Sequence, residues 1–176
     1  MIKVRNGVFE TNSSSSHSIV IKKGGRETPD MIDPGWYVYD NGILYLHECN
    51  LEFGRSPFDV LCNWYHKLCY AIASFGADGF EEIEEIIYAH VAGVKRIELP
   101  TTWDDNDERI PNYGWVDHQS DGLLQNFLAN NDVSLKDFIF NDKYIVIIDG
   151  DEYQILDKMN ECGLLNGDNI EKRYDA

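Results

Sequence analysis

The stretch Lys143-Tyr144-Ile145-Val146-Ile147-Ile148 decides the fold, because its apolar run of mostly branched residues predicts a strand covered on both faces. A second short run of this type, Ile19-Val20-Ile21, lies near the amino terminus. Residues 2–9 alternate apolar and polar side chains around Gly7, which predicts another strand. A polar run separates residues 2–9 from Ile19, so the amino-terminal part is predicted to form an antiparallel sheet.

A hairpin is predicted at Asn41-Gly42. Asp40-Asn41-Gly42 lies between Trp36-Tyr37-Val38-Tyr39 and Ile43-Leu44-Tyr45-Leu46. Asn-Gly between aromatic and branched residues is a strong hairpin signal, because both turn positions need positive φ.

Two central helices are predicted between the strands. Ser56-Pro57 is typical of a helix start, and apolar residues recur at helical spacing from Phe58 until Gly76. A second helix is predicted from Gly79 or Phe80 to Ala92. Further helices are predicted at 123–129, after the Ser134 cap and at 152–162, with a strand at 94–99, whereas 100–121 shows no regular period. The prediction is a single α+β domain over residues 1–176.

The charge is unevenly distributed. The 176 residues include 15 basic and 31 acidic side chains, for a net charge of -16. Residues 1–30 hold five basic and three acidic residues, a net +2, and the other 146 residues carry -18. This balance excludes a general nucleic-acid binder, which needs a basic surface for phosphate. It favours a basic protein partner, although solubilising charge is the simpler alternative.

No apolar run is long enough for a membrane span, and the amino terminus lacks the pattern of a secretory signal. The four cysteines are therefore expected to be reduced thiols in a cytoplasmic protein. Cys62, His66 and Cys69 share one face of a predicted helix, but structural zinc needs four ligands, usually in close pairs. Core cysteines are favoured, and no metal or cofactor is predicted.

One candidate site is a serine loop between two predicted strands. Its hydroxyl and N–H groups are suited to binding an anion, and His17 to donating a proton or a hydrogen bond. The alternative is a polar turn that satisfies its own backbone. The candidate binding residues here are Asn12, Ser13, Ser14, Ser15 and Ser16.

A second candidate is Asp117-His118-Gln119-Ser120, within a long loop that also contains large aromatic residues. A carboxylate beside an imidazole suits acid–base catalysis, with Gln119 and Ser120 as binding groups. The alternative is a loop held to the core by its own polar side chains. If the fold brought His17 near His118, the two loops would form one catalytic or phosphate-handling site. Nothing in the sequence shows that they meet.

Acidic clusters are the remaining candidates. Asp149-Gly150-Asp151-Glu152 follows the buried strand, where magnesium ligands occur, but a turn and a helix cap explain it better. Four glutamates at 81–85 and four acids at 104–108 would imitate a row of phosphates if they shared a face. A solvated helix face is the alternative. The binding candidates are Glu82, Glu85, Asp104 and Asp105.

Residues 5–18, with the motif Val8-Phe9-Glu10-Thr11-Asn12 followed by four serines and His17, resemble the amino terminus of a group of uncharacterised bacteriophage and prophage proteins. Segments 116–120 and 137–141 are similar to segments of that group. The resemblance implies a phage or mobile-element setting, in which small acidic proteins often bind and block host machinery. It implies no activity for individual residues.

Two functions are therefore expected from the sequence. The first is an acidic phage-type accessory protein that binds a basic surface of a host intracellular protein and modulates or inhibits it. A nucleic-acid-handling defence component is one candidate partner. The alternative is a small hydrolase or group-transfer enzyme that uses His17 and His118, with Asp117, on two polar loops.

Overall fold

The computed structural model describes residues 17–38, 41–54, 59–148, 162–164 and 169–175. The strands in these ranges are β1 His17–Lys22, β2 Ile43–Tyr45, β3 Glu52–Phe53, β4 Asp59–Leu61, β5 Arg96–Glu98, β6 Thr101–Trp103, β7 Arg109–Pro111, β8 Trp115–Val116, β9 Tyr144–Ile148 and β10 Ile170–Asp175. The α-helices are α1 Trp64–His90, α2 Leu123–Asn131 and α3 Leu135–Phe140, and short 3-10 turns lie at Gly35–Tyr37, Glu48–Asn50 and His118–Ser120. The fold is α+β, as predicted.

The main sheet has four antiparallel strands in the order β10-β1-β9-β4. The predicted strand at 143–148 is confirmed as β9, which lies between β1 and β4. The strand predicted at Ile19-Val20-Ile21 is confirmed as β1. β1 thus joins its neighbours from the carboxyl-terminal part of the chain, while predicted strand 2–9 lies outside the described residues.

Both faces of the main sheet are covered, which explains the continuous apolar run in β9. Because side chains alternate along a strand, Ile19 and Val146 contribute to the core that includes the helices. Val20, Ile145 and Ile147 contribute to a smaller cluster on the opposite face. The sheet is therefore the central layer of the described domain.

The two predicted central helices are the two parts of α1, which is interrupted by a sharp kink at Gly76. Gly76 has φ 59° and ψ -147°, a conformation open to glycine but strained for other residues. The predicted start at Ser56-Pro57 is wrong, because residues 59–61 form edge strand β4 and Asn63 caps the helix instead. The Asn63 Oδ1 accepts a hydrogen bond of 2.9 Å from the backbone N–H of His66.

The hairpin at Asn41-Gly42 is much shorter than predicted. Among the residues of this region that the structure describes, the antiparallel pairing is a single bridge between Val38 and Leu44, and Gly35–Tyr37 is a 3-10 turn rather than a strand. β2 instead pairs in parallel with β5. The Tyr37 ring stacks on Tyr65 of α1 at 4.1 Å between centroids, so a tertiary contact replaces strand pairing.

The segment 100–121 is more regular than predicted. β6 and β7 form an antiparallel hairpin, and β8 pairs in parallel with β3. The predicted helix at 123–129 is confirmed as α2, and the Ser134 cap of α3 accepts a 3.0 Å hydrogen bond from the Asp137 N–H. The predicted helix at 152–162 and the acidic turn at 149–152 lie outside the described residues, apart from Cys162.

Candidate functional site

The structure brings the start of β1 and the 117–120 turn together. The backbone N–H of His17 donates a hydrogen bond of 3.1 Å to the Ser120 Oγ, across 103 positions of sequence. We call His17, Tyr70, Asp117, His118 and Ser120 the sheet-end site, because they surround the end of the main sheet where β1 begins. The serine loop, Asn12 to Ser16, lies outside the described residues.

His17 is fully buried in this site. Its Nδ1 lies 3.2 Å from the hydroxyl of Tyr70, and its Nε2 has no hydrogen-bond partner among the described residues. Burial lowers the pKa of His17 to about 4, although the Asp117 carboxylate acts in the opposite direction. The imidazole is therefore neutral at neutral pH. It is a weak base, and it cannot donate a proton as an imidazolium ion would.

Asp117 holds the turn together. Its backbone N–H donates to the carbonyl of Phe53 at 2.9 Å, and its Oδ1 accepts a 3.1 Å hydrogen bond from the N–H of Gln119. The same carboxylate oxygen lies 3.4 Å from Nδ1 of His118. The Asp117 side chain is buried, whereas that of His118 is 75% exposed. A buried carboxylate can thus orient an imidazole that solvent reaches.

The predicted residues of the sheet-end site therefore divide by exposure. His118 and Gln119 face solvent, while His17, Asp117 and Ser120 are buried. Of the two imidazoles, only that of His118 is placed for proton transfer with a bound molecule. The contact between His17 and Ser120 thus places a buried histidine against the turn that carries the accessible His118.

A cavity of about 200 Å³ lies near the same end of the sheet, and its lining includes Cys49, Asp59, His66 and Ile148. No group of three or more metal-ligating side chains occurs among the described residues. Cys69 is a core residue, and burial raises the pKa of its thiol to about 12. Of the predicted core cysteines, Cys69 is buried in the main core, whereas Cys62 is partly exposed at the margin of the smaller cluster.

The second candidate region is the β6–β7 hairpin. Asp104 stabilises its turn, because Oδ1 accepts hydrogen bonds from the N–H groups of Asn106 at 2.9 Å and Glu108 at 2.8 Å. The hydrogen bond from Glu108 is the largest of the effects that lower the pKa of Asp104. Asp105, Asp107 and Glu108 are exposed. Of the two predicted binding acids here, Asp104 is therefore structural and Asp105 is available to a partner.

Large apolar side chains are exposed beside these acids. Trp103 is 65% exposed and Ile110 is 39% exposed, and both lie in the hairpin. The Arg109 guanidinium lies over the Trp103 ring, 5.7 Å from its centroid. Trp115, just after the hairpin, is 49% exposed. Exposed aromatic residues with a polar rim are typical of protein interaction surfaces.

A groove of about 450 Å³ runs along the base of the hairpin, and we call it the hairpin groove. Helix α1 contributes Phe80, whose ring meets Tyr113 edge-on at 5.3 Å between centroids. The two arginines of the groove have partners, since Arg96 hydrogen-bonds to Glu98 and Arg109 stacks on Trp103. The groove is lined by Phe80, Arg96, Ile97, Glu98, Leu99, Thr101, Arg109, Ile110, Pro111 and Tyr113.

The glutamates of α1 differ in which of them lie on the helix face that borders this groove. Glu84 accepts a 2.6 Å hydrogen bond from the Tyr88 hydroxyl, and Tyr88 lies near Arg96 of the groove. Residues turn by about 100° along a helix, so Glu84 shares the face of Phe80 while Glu82 points away from it. Glu82 and Glu85 are both exposed, as predicted. Of Glu82 and Glu84, it is therefore Glu84 that lies on the Phe80 side of α1.

The sequence did not predict that the residues of the hairpin groove would form a binding surface. The sequence drew attention to the aromatic residues between 100 and 121, but no periodicity indicated that Phe80 would face Tyr113. The available signal was Trp103 directly before two aspartates, since a large apolar residue beside charges is unusual for a core position.

Comparisons with protein-family models, curated proteins and solved structures found no match. Among the described residues, no helix is long and apolar enough to cross a membrane. The geometry of the chain is therefore the basis for any functional conclusion.

Proposed function

We propose that this chain is a non-enzymatic accessory protein that binds a partner protein through the hairpin groove. The observation that supports the proposal is a groove of about 450 Å³ beside exposed Trp103 and Ile110, with carboxylates at its margin. Binding energy at protein interfaces concentrates in such aromatic anchors. The partner segment would bring an apolar side chain for the groove and lysine or arginine for the surrounding acids.

Charge complementarity supports a basic partner. Residues 31–176 carry a net charge of -18, and both groove arginines have partners of their own. Long-range attraction of this kind raises the association rate and weakens with added salt. The resemblance of residues 5–18 to phage proteins leads us to propose a host intracellular protein as this partner, with a nucleic-acid-handling defence component as one candidate.

The test is affinity capture from host lysate, followed by affinity measurements with the captured protein. Trp103→Ala should weaken binding at least tenfold, because it removes the large exposed aromatic side chain beside the groove. The double variant Asp105→Lys and Glu108→Lys should also weaken binding, and the loss of affinity should be greater at low salt than at high salt. Asp104 is left unchanged, because its carboxylate holds the turn.

The matched control is the double variant Glu27→Lys and Asp30→Lys. Both residues are exposed and lie in a segment that contacts α3 and the end of α1 rather than the hairpin. This variant makes the same charge change as the double hairpin variant at another surface, so it should bind the partner like the wild type. Equal loss of affinity in the two double variants would mean that net charge, and not the groove, determines binding.

The enzyme remains a second candidate, supported by the Asp117 carboxylate at 3.4 Å from the exposed His118. In that function His118 would be the acid or base and Asp117 its orienting group, while buried His17 would stabilise the loop. Turnover of p-nitrophenyl phosphate or p-nitrophenyl acetate should then disappear in His118→Ala, with the unfolding midpoint unchanged. An identical slow rate in the variant and the wild type would contradict this second function.

A further inference from the structure

The face of the main sheet opposite the helices has a small apolar cluster of its own, which we call the back-face cluster. Two of its members, Cys162 and Leu164, come from the short described segment before β10. Cys62, at the end of β4, packs against its margin. The buried members are Val20, Val60, Ile145, Ile147, Cys162 and Leu164.

Two thiols meet in the back-face cluster from distant parts of the sequence. The Cys162 thiol hydrogen-bonds to the sulfur of Cys62, so the two sulfur atoms are neighbours. Cys162 is buried, whereas Cys62 is partly exposed. Both cysteines are reduced in the structure.

We propose that Cys62 and Cys162 form a redox site, at which a peroxide converts the thiol pair into a reversible disulfide. This inference is independent of the hairpin groove, which lies in a different part of the fold. It gives the two cysteines of the back-face cluster a chemical role in addition to packing.

The reactive thiol of the pair is Cys62. The hydrogen bond from Cys162 lowers the pKa of Cys62 to about 7 against the effect of burial. Lys67 adds to the lowering when its amine is protonated, although burial lowers the pKa of that amine to about 7 as well. The thiolate is the nucleophilic form of cysteine, and partial exposure gives a small oxidant access to it. Lys67 is held in place by the carbonyl groups of Asn141 and Tyr144.

The reaction has two steps. The Cys62 thiolate attacks one oxygen of the peroxide, the O–O bond breaks, and the sulfenic acid of Cys62 forms with release of hydroxide or alkoxide. The neighbouring Cys162 sulfur then attacks the Cys62 sulfur, the S–O bond breaks, and the hydroxyl leaves as water with the proton of the Cys162 thiol. The two thiols lose two electrons together, and with hydrogen peroxide the oxidant becomes two molecules of water. A dithiol reductant reverses the oxidation.

The other two cysteines differ from this pair. Cys69 is fully buried in the main core, where burial raises the pKa of its thiol to about 12. Cys49 is exposed, and its described hydrogen-bond contact is the side chain of Asn50. Oxidation is therefore expected to be selective for Cys62 and Cys162.

The disulfide would join the end of β4 to the segment before β10 and close a loop of about 100 residues. That segment continues into β10, which pairs with β1 at the edge of the sheet. Oxidation would thus restrain the carboxyl-terminal part of the fold. A loop of this length predicts a rise of roughly 10–20 °C in the melting temperature.

The experiment treats the full chain, reduced and desalted, with stoichiometric hydrogen peroxide, and maps the cysteines by mass spectrometry after alkylation. The expected product is lighter by two hydrogen atoms, contains a peptide that joins Cys62 to Cys162, and returns to the reduced form with dithiothreitol. The control Cys49→Ser should give the same cross-linked peptide. Cys62→Ser should abolish it and the rise in melting temperature.

Two results would overturn the proposal. One is a wild-type protein in which Cys62 reaches the sulfinic acid while Cys162 still accepts the alkylating reagent. The other is cross-linking that passes through Cys49 and disappears in Cys49→Ser. Both are read from the wild-type peptide map and the exposed control, so the decision does not depend on the folding of a core variant.

Discussion

The sheet-end site and the hairpin groove both belong to polar, aromatic segments, yet their side chains differ in solvent exposure. The sheet-end site buries His17, Asp117 and Ser120 and joins them to the backbone. The hairpin groove leaves Trp103 and its neighbouring acids in solvent. Buried and bonded polar groups stabilise a fold, whereas exposed aromatic residues beside charges are available to a partner. Substitutions should therefore affect stability at the first region and binding at the second.

The largest effect should be the acid sensitivity that His17 gives the fold. Its pKa is about 4 in the folded protein and 6.5 in the unfolded chain, so the unfolded state binds more protons between these values. The free energy of unfolding should fall by about 3 kcal/mol as the pH falls through this window. Urea unfolding of the wild type and His17→Gln across the window measures the difference.

His47→Gln is the control for this prediction, because His47 is exposed. It should keep the pH dependence of the wild type, while His17→Gln should lose the His17 part of it. Identical profiles for the wild type and His17→Gln would show that His17 is solvated in solution and that the sheet-end site is open.

A smaller loss is expected from Asp117→Ala. The change removes the acceptor of the Gln119 N–H and should lower the free energy of unfolding by about 2 kcal/mol. The measurement is urea unfolding at neutral pH, with exposed Asp121→Ala as the neighbouring control. If both variants lost the same small amount, the turn would not depend on the Asp117 carboxylate.

Tyr70→Phe should cost about 1 kcal/mol, because it removes the hydroxyl beside Nδ1 of His17 without changing the ring packing. The matched control is Tyr88→Phe at an exposed hydroxyl that bonds to Glu84. Its unfolding midpoint should be close to that of the wild type. A greater loss in Tyr88→Phe than in Tyr70→Phe would reverse the assignment of the buried hydrogen bond.

The smallest change in stability should come from Trp103→Ala. Its side chain is 65% exposed, so the free energy of unfolding should change by no more than about 0.5 kcal/mol. Thermal or urea unfolding measures this change, and the partner-binding assay measures the accompanying loss of affinity. Marked destabilisation would show that Trp103 is a packing residue of the hairpin, which would weaken the proposal for the groove.

The elements with strong local signals were predicted well. The branched run at 143–148, the Ser134 cap and the glycine break at Gly76 each rest on neighbouring residues, and each is present in the structure. The start of α1 and the length of the hairpin at Asn41-Gly42 were not predicted correctly, because other contacts replace the ones that the local sequence favours. Asn63 provides a side-chain cap, and Tyr37 packs on Tyr65 instead of joining a strand.

The sequence by itself determined the class of fold, the buried strand and the acidic balance, because periodicity, caps and charge are local or additive properties. Only the tertiary structure decided that His17 lies beside Ser120, that Phe80 faces Tyr113 and that Cys62 meets Cys162. These pairs are far apart in the chain, and their contact depends on strand order and register. Burial then gave His17 and His118 opposite environments, which the residue types alone do not distinguish.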